Sequence, residues 1–364
     1  MSERPWIFSH FPALKGRIPF TSLGEYPSRV ERLEKLSDYV GAEIWIKRDD
    51  AASCIYGGNK CRMMEFIIPD AKEKGRESLI SWGALGSNQV VSSVIFGAHE
   101  GYTDITAVYG TQPYHAYVRR NFLISTSLGV DQHLAASDAS QVLKLLWFYL
   151  KKLASGKKPY LIPLVGSKPI SVLSYVDASL ELKRQIDGKE APAFDEIFVT
   201  VGTGGTAAGL ILGSLIFPDI GRIVGVRVIE KSFVNRPIIA WEINRTRRFM
   251  KRLGADPAVG RVRSSDIEML DYMGPAYAES TPECLQAIEL LERLEGITLD
   301  VTYTGKTMAA LLDRAHKDRN KRYLFWHTLN TVDISTITDA LPDPCEAPEC
   351  FHTHLGVDTS GGTT

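Results

Sequence analysis

Three short segments carry residue types that can do chemistry. The first is Tyr56-Gly57-Gly58-Asn59-Lys60, in which two glycines precede a lysine at the start of a helical pattern. Glycines let the backbone approach a ligand closely. A lysine held at such a turn can form a Schiff base if burial lowers the pKa of its amine. A solvated lysine at a helix start is the alternative, and on this segment alone it is the more common case.

The second segment, Trp82-Gly83-Ala84-Leu85-Gly86-Ser87-Asn88-Gln89, lies between a predicted strand and a predicted helix. Ser87 or Asn88 can cap that helix through its side chain. The free amides of a helix N-terminus, together with small polar side chains, can equally bind a carboxylate. At this point capping and ligand binding are comparable interpretations.

The third segment runs from residue 201 to residue 209 with the sequence VGTGGTAAG. A Gly/Thr-rich turn between a strand and a helix directs backbone amides at an anion, so it favours a phosphate site over a simple tight turn. It also resembles the dinucleotide fingerprint, but Glu230 lies 28 residues after Gly202, where the fingerprint's acidic residue follows after about 20. Because the turn has no Walker lysine after it, a P-loop is not predicted.

The elements that must position these segments follow an alternating pattern from residue 78 onward. Short apolar runs predict strands, and helical apolar spacing predicts the helices between them. This alternation predicts an α/β fold with mostly parallel sheets flanked by helices. The predicted strands are 79–81, 105–109, 132–135, 160–165, 196–201, 223–229 and 323–327, and the predicted helices are 89–99, 116–128, 139–153, 171–186, 207–215, 237–253 and 282–294.

Composition narrows the class of protein. The 364 residues carry 42 Lys and Arg against 43 Asp and Glu, a net charge of −1, which gives no general attraction for nucleic acid or an anionic membrane. No apolar run approaches the roughly 18 residues needed to span a bilayer. The five cysteines are scattered, which predicts a reducing, cytoplasmic location without disulfides. Cys54 and Cys61 are expected to fill core space.

Five motifs occur in a fixed order: IKRDD at 46–50, GGNK at 57–60, SNQ at 87–89, GTGGT at 202–206 and YTGK at 303–306. Together they resemble the D-cysteine desulfhydrase and 1-aminocyclopropane-1-carboxylate deaminase family, from about Phe11 to Thr328. This resemblance implies a two-domain, tryptophan-synthase-β-like enzyme of fold type II with pyridoxal 5'-phosphate. The expected domains are a large cofactor-binding domain (1–58 with 172–341), a small domain (59–171) and a tail (342–364). The family's habit also implies a homodimer.

The resemblance assigns a role to each motif. Lys60 would hold the cofactor through a Schiff base and, once the substrate displaces it, move the Cα proton. The other expected site residues are Gly202, Thr203, Gly204, Gly205 and Thr206 at the phosphate; Ser87, Asn88 and Gln89 at the substrate carboxylate, with Asn88 also at the cofactor's phenolic oxygen; Tyr303 and Tyr277 on the substrate side, where they and Ser87 would be catalytic; and Thr328 at the pyridine nitrogen.

These roles predict a lyase or deaminase that removes the Cα proton of a small amino acid, such as a D-amino acid, and eliminates a group from Cβ. In the deaminase branch a glutamate occupies the position of Thr304, so the desulfhydrase branch is favoured over cyclopropane ring opening. The chain departs from the family at Met63, where a basic residue is usual, at Leu329-Asn330, where Gly-Gly is usual, and at Trp82, where a small residue is usual. These departures predict a specialised substrate.

Several alternatives remain open. A β-replacement synthase or an amino-acid racemase would use the same residues, and a non-catalytic binder or a nicotinamide-dependent oxidoreductase belongs to another class. The residues Cys345, Cys350, His352 and His354 lack a standard zinc spacing, so no metal is predicted. The basic stretch Arg245–Arg252 is expected to be a solvated face or subunit contact, and not a nucleic-acid site. The expected partner is a small amino acid.

Overall fold

The computed structural model describes residues 4–163, 168–334 and 341–357. Residue contacts divide the chain into two compact units, Met1–Phe66 with Val165–Val332 and Ile67–Leu164 with Asp333–Thr364. The domain boundaries expected from the sequence, at 58/59, 171/172 and 341/342, stay a prediction. None of the helices in the described residues has the length and apolar composition that crossing a membrane requires.

The first unit is built on a mostly parallel sheet with the strand order β1-β2-β10-β7-β8-β9. Only the edge pair β1–β2 is antiparallel among the described pairings. All six residues of β7 are buried, as expected for a parallel strand covered on both faces. The strands of this sheet are β1 (Val30–Arg32), β2 (Glu43–Lys47), β7 (Glu196–Val201), β8 (Arg222–Arg227), β9 (Glu268–Asp271) and β10 (Arg322–Trp326).

The second unit has a smaller, fully parallel sheet with the order β5-β4-β3-β6. Its strands are β3 (Ser78–Ala84), β4 (Ile105–Gly110), β5 (Asp131–Ala135) and β6 (Pro159–Leu161). Ile80 and Val108 of this sheet pack against Leu145 and Phe148 of the helix that follows β5. The two parallel sheets flanked by helices confirm the α/β class predicted from the sequence.

The helices predicted from residue 89 onward agree with the structure to within a few residues, but two helices in this part of the described chain were not predicted. One begins inside the YTGK motif, and the other lies in the region expected to be a tail, where it buries Phe351 and Leu355. The strand predicted over 160–165 covers only Pro159–Leu161, and residues 164 and 165 lie outside the described part. The helices are α1 (Ile7–His10), α2 (Glu34–Val40), α3 (Asn59–Glu73), α4 (Asn88–His99), α5 (Ala116–Ser127), α6 (Asp138–Ala154), α7 (Pro169–Asp187), α8 (Gly205–Ile216), α9 (Arg236–Arg252), α10 (Pro282–Glu295), α11 (Thr304–Lys317) and α12 (Glu349–Leu355).

The two central helices of the first unit, α7 and α8, approach each other unusually closely. A Cβ atom at Gly209 would lie 2.4 Å from the Cβ of Tyr175, and one at Gly213 would lie 2.1 Å from the Ser179 hydroxyl. Any larger residue would therefore force the helices apart. This contact fixes α8, whose N-terminus carries the Gly/Thr-rich turn.

A network of buried charges ties the start of α3 to β2 and α7. The guanidinium of Arg62 donates hydrogen bonds to Asp49 (2.7 and 2.9 Å) and to Glu181 (2.8 and 3.0 Å). The amine of Lys47 donates to Glu181 (2.5 Å) and to the Ser28 carbonyl (2.7 Å). The side chains of Lys47 and Arg62 are 0% exposed, so these four charged groups balance one another away from water.

The cations of the network favour the ionised form of its two carboxylates. Burial raises the pKa of Asp49, but the charge and hydrogen bonds of Arg62 outweigh burial and lower this pKa to about 2. Burial likewise opposes ionisation of Glu181, and Arg62 and Lys47 together lower its pKa below the ordinary value. Asp49 therefore contributes stability above its unfolded pKa of about 3.9, and this contribution is lost as the pH falls toward 2.

The network makes a prediction about stability. Replacing Arg62 with Met leaves two buried carboxylates without their partner, so we expect the free energy of unfolding to fall by about 3–5 kcal/mol. The measurement is urea unfolding followed by circular dichroism. Arg29→Met is the control, because Arg29 pairs with Glu31 at the surface with 68% of its side chain exposed, and such changes usually alter stability by about 0.5 kcal/mol or less. Equal losses for the two variants would contradict the prediction.

Candidate active site

A tight turn presents Lys60 at the start of α3. Gly58 adopts a positive φ of 79°, and a Cβ there would lie 2.6 Å from the carbonyl oxygen of Thr328. The amide of Asn59 donates to that same carbonyl over 3.2 Å, and the amide of Gly57 donates to the side chain of Asn330 over 2.6 Å. The backbone after β10 therefore holds the turn in place.

The amine of Lys60 is set up as a nucleophile. It donates a hydrogen bond to Asn59 Oδ1 over 3.1 Å, and it forms no ion pair with any carboxylate in the described residues. Although the residue as a whole is partly exposed, burial of the ammonium group lowers its pKa to about 8. A larger fraction of the amine is therefore neutral near pH 7 than for an ordinary lysine.

The Gly/Thr-rich turn after β7 forms the N-terminus of α8. Gly204 is the N-cap residue with φ 102°, and no side chain caps this helix. A Cβ at Gly204 would lie 2.4 Å from Ile239, so only glycine fits here. The amides of the first helical turn and the positive end of the helix dipole are consequently available to an anion.

One chain of hydrogen bonds connects the lysine with this turn. The Asn59 side chain accepts from the Lys60 amine and donates through Nδ2 to the hydroxyl of Thr206 over 2.9 Å. Three residues from two separate motifs thus meet within the first unit. An amine of lowered pKa lies one side chain away from an anion-binding turn.

Two tyrosines meet beside the same turn. The hydroxyls of Tyr277 and Tyr303 are 2.5 Å apart, and the planes of their rings meet at 69° in an edge-to-face arrangement. A Cβ at Gly202 would lie 3.7 Å from the ring of Tyr303, which places this tyrosine next to the glycines. The carboxylate of Asp300 fixes Tyr303 because it accepts hydrogen bonds from the amides of Tyr303 and Thr304, both over 2.9 Å.

The predicted carboxylate site belongs to the second unit. Ser87 is the N-cap residue of α4, but its hydroxyl makes no capping hydrogen bond. Asn88, the first residue of α4, has its Oδ1 held by the side chain of Asn121 over 3.1 Å. The side chain of Gln89 donates through Nε2 to the carbonyl of Pro163 over 3.5 Å. The capping interpretation of the Ser87 side chain is therefore wrong, and its hydroxyl lies at a helix N-terminus.

Comparison with known proteins identifies the family. The profile described as pyridoxal-phosphate dependent enzyme matches residues 21–328. The chain belongs to this family. It is 35% identical over 308 residues to a D-cysteine desulfhydrase of Yersinia pestis (strain Pestoides F), covering 82% of this chain and 90% of the relative. It is 31% identical to a putative 1-aminocyclopropane-1-carboxylate deaminase of Pyrococcus furiosus over 319 residues, 87% of this chain and 93% of the relative.

A solved structure supports the same fold. The crystal structure of an ACC deaminase homologue superposes with a TM-score of 0.75 at 30% identity, covering 94% of this chain and 99% of that chain. The family membership makes this protein a pyridoxal-phosphate dependent enzyme, and the resemblance noted from the five sequence motifs is confirmed.

The residues of the first unit fit this cofactor. Its aldehyde requires an amine that is neutral enough to react, and burial gives Lys60 that property. Its phosphate requires backbone amides at a helix N-terminus, and the turn before α8 provides them without a competing side-chain cap. A turn whose amides can bind a phosphate and an amine joined to it through Asn59 fit the aldehyde and the phosphate arm, which are neighbouring substituents on the pyridine ring.

Three of the departures from the family pattern, at Met63, Thr304 and Asn330, have structural explanations. Met63 is fully buried in the core, and the neighbouring Arg62 is committed to Asp49 and Glu181. Thr304 bonds its hydroxyl to Asp300, so this side chain is used to start α11. Asn330 holds the amides of Gly57 and Val332, which gives it a role in the lysine turn.

Sequence analysis missed the residues that support the site. Asn59, Asp300 and Asn330 were not given roles, although each holds a motif residue in place. Asp300 lies three residues before Tyr303, the N-cap residue of α11, and therefore outside the N-cap position at which an acidic residue is a recognised sequence signal. Asn59 and Asn330 act across 147 and 273 residues of sequence, and no local pattern reveals such contacts.

The Cys/His and basic segments are engaged elsewhere. His352 and His354 bond to the backbone carbonyls of Ala347 and Gln112. In residues 4–163, 168–334 and 341–357 no group of three or more His, Cys, Asp or Glu side chains is placed to hold a metal ion. In the basic stretch of α9, Arg245 stacks on Trp241 and Lys251 pairs with Asp256 over 2.9 Å.

The lowered pKa of Lys60 predicts a pH-dependent reactivity. In the cofactor-free protein, acetylation of Lys60 should rise with pH and reach half its maximum near pH 8, because only the neutral amine reacts. Exposed lysines in the same sample should reach this point near their usual pKa of about 10.4. Mass spectrometry of peptides after brief labelling at each pH measures both. A half-maximum for Lys60 near pH 10 would contradict the prediction.

Proposed function

We propose that this enzyme catalyses α,β-elimination from a small D-amino acid with a leaving group on Cβ, releasing a keto acid and ammonia. The observation that carries the proposal is the hydrogen-bonded chain from the Lys60 amine through Asn59 to Thr206. The similarity to a D-cysteine desulfhydrase over 82% of the chain supports a sulfur-bearing substrate as the first candidate. The similarity to a putative ACC deaminase supports the deaminating outcome.

Lys60 and the turn before α8 carry the central steps. Bound pyridoxal phosphate withdraws electrons from the substrate Cα and so weakens the bonds to this atom. In the proposal, Gly202, Thr203, Gly204, Gly205 and Thr206 hold the phosphate, and the Lys60 amine first binds the cofactor and then takes the Cα proton. A pKa of about 8 suits this amine to accepting and returning a proton near neutral pH.

The tyrosine pair is assigned to the leaving group. Two hydroxyls 2.5 Å apart can pass a proton from one to the other, and Tyr303 lies beside Gly202. We assign Tyr303 and Tyr277 to donating a proton to the departing group on Cβ. Ser87, Asn88 and Gln89 bind the substrate carboxylate, Asn88 also donates to the phenolic oxygen, and Thr328 hydrogen-bonds the pyridine nitrogen.

The proposal favours elimination over cyclopropane ring opening. The glutamate of the deaminase branch is Thr304 here, and its hydroxyl is bonded to Asp300. A threonine hydroxyl in this position supplies neither a carboxylate nor an acidic proton. Leu329 and Asn330, which replace two glycines, and Trp82 at the end of β3 support a substrate pocket that differs from that of a housekeeping D-cysteine desulfhydrase.

The test is a product assay on the purified holoenzyme. D-cysteine, D-serine, β-chloro-D-alanine, their L-enantiomers and 1-aminocyclopropane-1-carboxylate are supplied in turn, and keto acid and ammonia are measured. We expect keto acid from at least one D-substrate with a Cβ leaving group. Lys60→Ala should abolish turnover and the cofactor absorbance at roughly 410–430 nm, since that band requires the lysine.

Other products would overturn the proposal. A β-substituted amino acid formed only with a second nucleophile indicates a β-replacement synthase, and inversion at Cα without keto acid indicates a racemase. Turnover retained by Lys60→Ala would exclude the assigned role of the lysine. A matched control is Lys158→Ala, because Lys158 is an exposed lysine of the second unit and has no part in the proposed site.

We also propose that the enzyme is a homodimer that packs through one face of α6. Leu143 and Trp147 are 67% and 63% exposed, and the apolar side chains of this face are Val142, Leu143, Leu146, Trp147, Leu150 and Leu153. They expose on the order of 700 Å², close to the roughly 800 Å² per partner that a standard interface buries and more than most monomers leave uncovered. A two-fold axis between Leu146 and Trp147 would pair Leu143 with Leu150, so the face is complementary to itself.

The dimer is tested by light scattering after size-exclusion chromatography. The wild-type enzyme should have twice the chain mass, and Leu146→Lys should have the mass of one chain because it places charges at the centre of the interface. Tyr39→Lys is the control, because Tyr39 is 62% exposed but lies on α2. A wild-type monomer, or an unchanged mass for Leu146→Lys, would overturn this surface.

We propose a cytoplasmic location as well. All five cysteines, including the buried Cys61 and Cys284, are free thiols. Free thiols of this kind fit a reducing compartment.

A further inference from the structure

The side chain of Asn121 on α5 forms hydrogen bonds with the loop before α4 and with the first residue of α4. Asn121 is 2% exposed, and its Nδ2 donates to the carbonyl of Gly86 over 2.9 Å and to Oδ1 of Asn88 over 3.1 Å. Neither bond is a helix cap or a contact within α5. The buried side-chain amide of Asn121 therefore donates both of its hydrogen bonds to the segment 86–88, for which the sequence offered carboxylate binding as one interpretation.

These two bonds determine which way the Asn88 amide faces. A backbone carbonyl only accepts hydrogen bonds, so the Asn121 atom at Gly86 must be the nitrogen. The atom of Asn88 that meets the same nitrogen must then be its oxygen. Asn88 consequently has its acceptor turned toward Asn121, and its NH₂ donors face the opposite side.

A second contact holds the same loop from the other direction. The side chain of Gln112 accepts from the amide of Gly86 over 3.0 Å and donates to the hydroxyl of Tyr117 over 2.6 Å. Gly86 is thus held at its amide by Gln112 and at its carbonyl by Asn121. A Cβ at Gly86 would lie 2.8 Å from the ring of Tyr117, so a residue larger than glycine does not fit at this position without a shift.

The C-terminal helix α12 supports this second contact. The ring of His354 bonds through Nδ1 to the carbonyl of Gln112 over 3.1 Å. Phe351 is 1% exposed and packs 4.6 Å from the ring of Phe122, which is on the same helix as Asn121. The residues of α12 lie beyond 21–328, the part matched by the family profile. The support is therefore a feature of this chain outside the matched region.

We propose that Asn121 is a positioning residue that presents the Asn88 amide donors to the anionic oxygens of the bound ligand, and that α12 braces the same loop through Gln112. The inference rests on the proposed function, which assigns Asn88 to the substrate carboxylate and the phenolic oxygen. Without Asn121, the side-chain amide of Asn88 can rotate by about 180°. Its oxygen would then face the anionic ligand, and the two oxygens would repel each other. Asn121 itself touches no ligand in this arrangement.

The test is a double-mutant cycle on the holoenzyme with D-alanine as the probe. D-alanine has no leaving group on Cβ, so its binding, read from the change in cofactor absorbance, does not depend on elimination. Asn121→Ala should weaken D-alanine binding about tenfold, the effect of one lost hydrogen bond to a charged group. Asn88→Ala should have a similar effect, and Asn121→Ala should have none in the Asn88→Ala background, because it acts through that side chain.

Three further variants separate positioning from general damage to the fold. Asn121→Asp keeps the shape but has no donors, and it should weaken D-alanine binding at least as much as Asn121→Ala. His354→Ala should weaken binding by a smaller factor, and only while Asn88 is present. Thr126→Ala is the control, because Thr126 is on the same helix, bonds to Gln132 and does not contact the loop.

The outcomes are decisive for this residue. Losses that multiply in the double variant would mean that Asn121 and Asn88 act independently, and this would overturn the proposal. Unchanged binding for Asn121→Ala would overturn it as well. If the cycle shows coupling while no substrate yields keto acid, the proposed elimination fails and the positioning role stands.

Discussion

The ion network around Arg62 is the interaction on which the active site depends. Two cations and two carboxylates pair here away from water, and displacing any one of them would leave a buried charge without its partner at a high energetic cost. Arg62 lies two residues after Lys60 in α3, and its partners Asp49 and Glu181 come from the turn that follows β2 and from α7. The network therefore fixes the first turn of α3 and, with it, the position of the lysine.

Backbone contacts complete what the network begins. The turn at Gly58 packs against the carbonyl of Thr328, and the turn at Gly204 packs against the side chain of Ile239 in α9. The start of α11 is held by Asp300, which carries Tyr303 into place. These supporting groups position the candidate site residues, and the partly buried hydrogen bonds of Asn59 join Lys60 to Thr206 in the Gly/Thr-rich turn.

In the second unit, uncharged side chains hold the candidate site residues in place. The loop before α4 is held by amides from Gln112 and Asn121, and α12 is packed against the helix and the loop that carry them. Neutral amides fix orientation because they have a donor end and an acceptor end, and the bond from Asn121 in this way sets the orientation of the Asn88 side chain. A segment expected to be a tail is therefore part of the packed second unit.

The sequence by itself determined the α/β class, most strands and helices after residue 78, and the family, because periodicity and short motifs are local properties of the chain. It also indicated Lys60 and the turn at 202–206. It did not determine the partners of Arg62, the bridge from Asn59 to Thr206 or the hydrogen bond from Asn121 to Asn88, which join residues 13 to 147 positions apart. Only the tertiary structure decided these contacts, because hydrogen bonds depend on where elements meet in space and no spacing rule in one sequence records that.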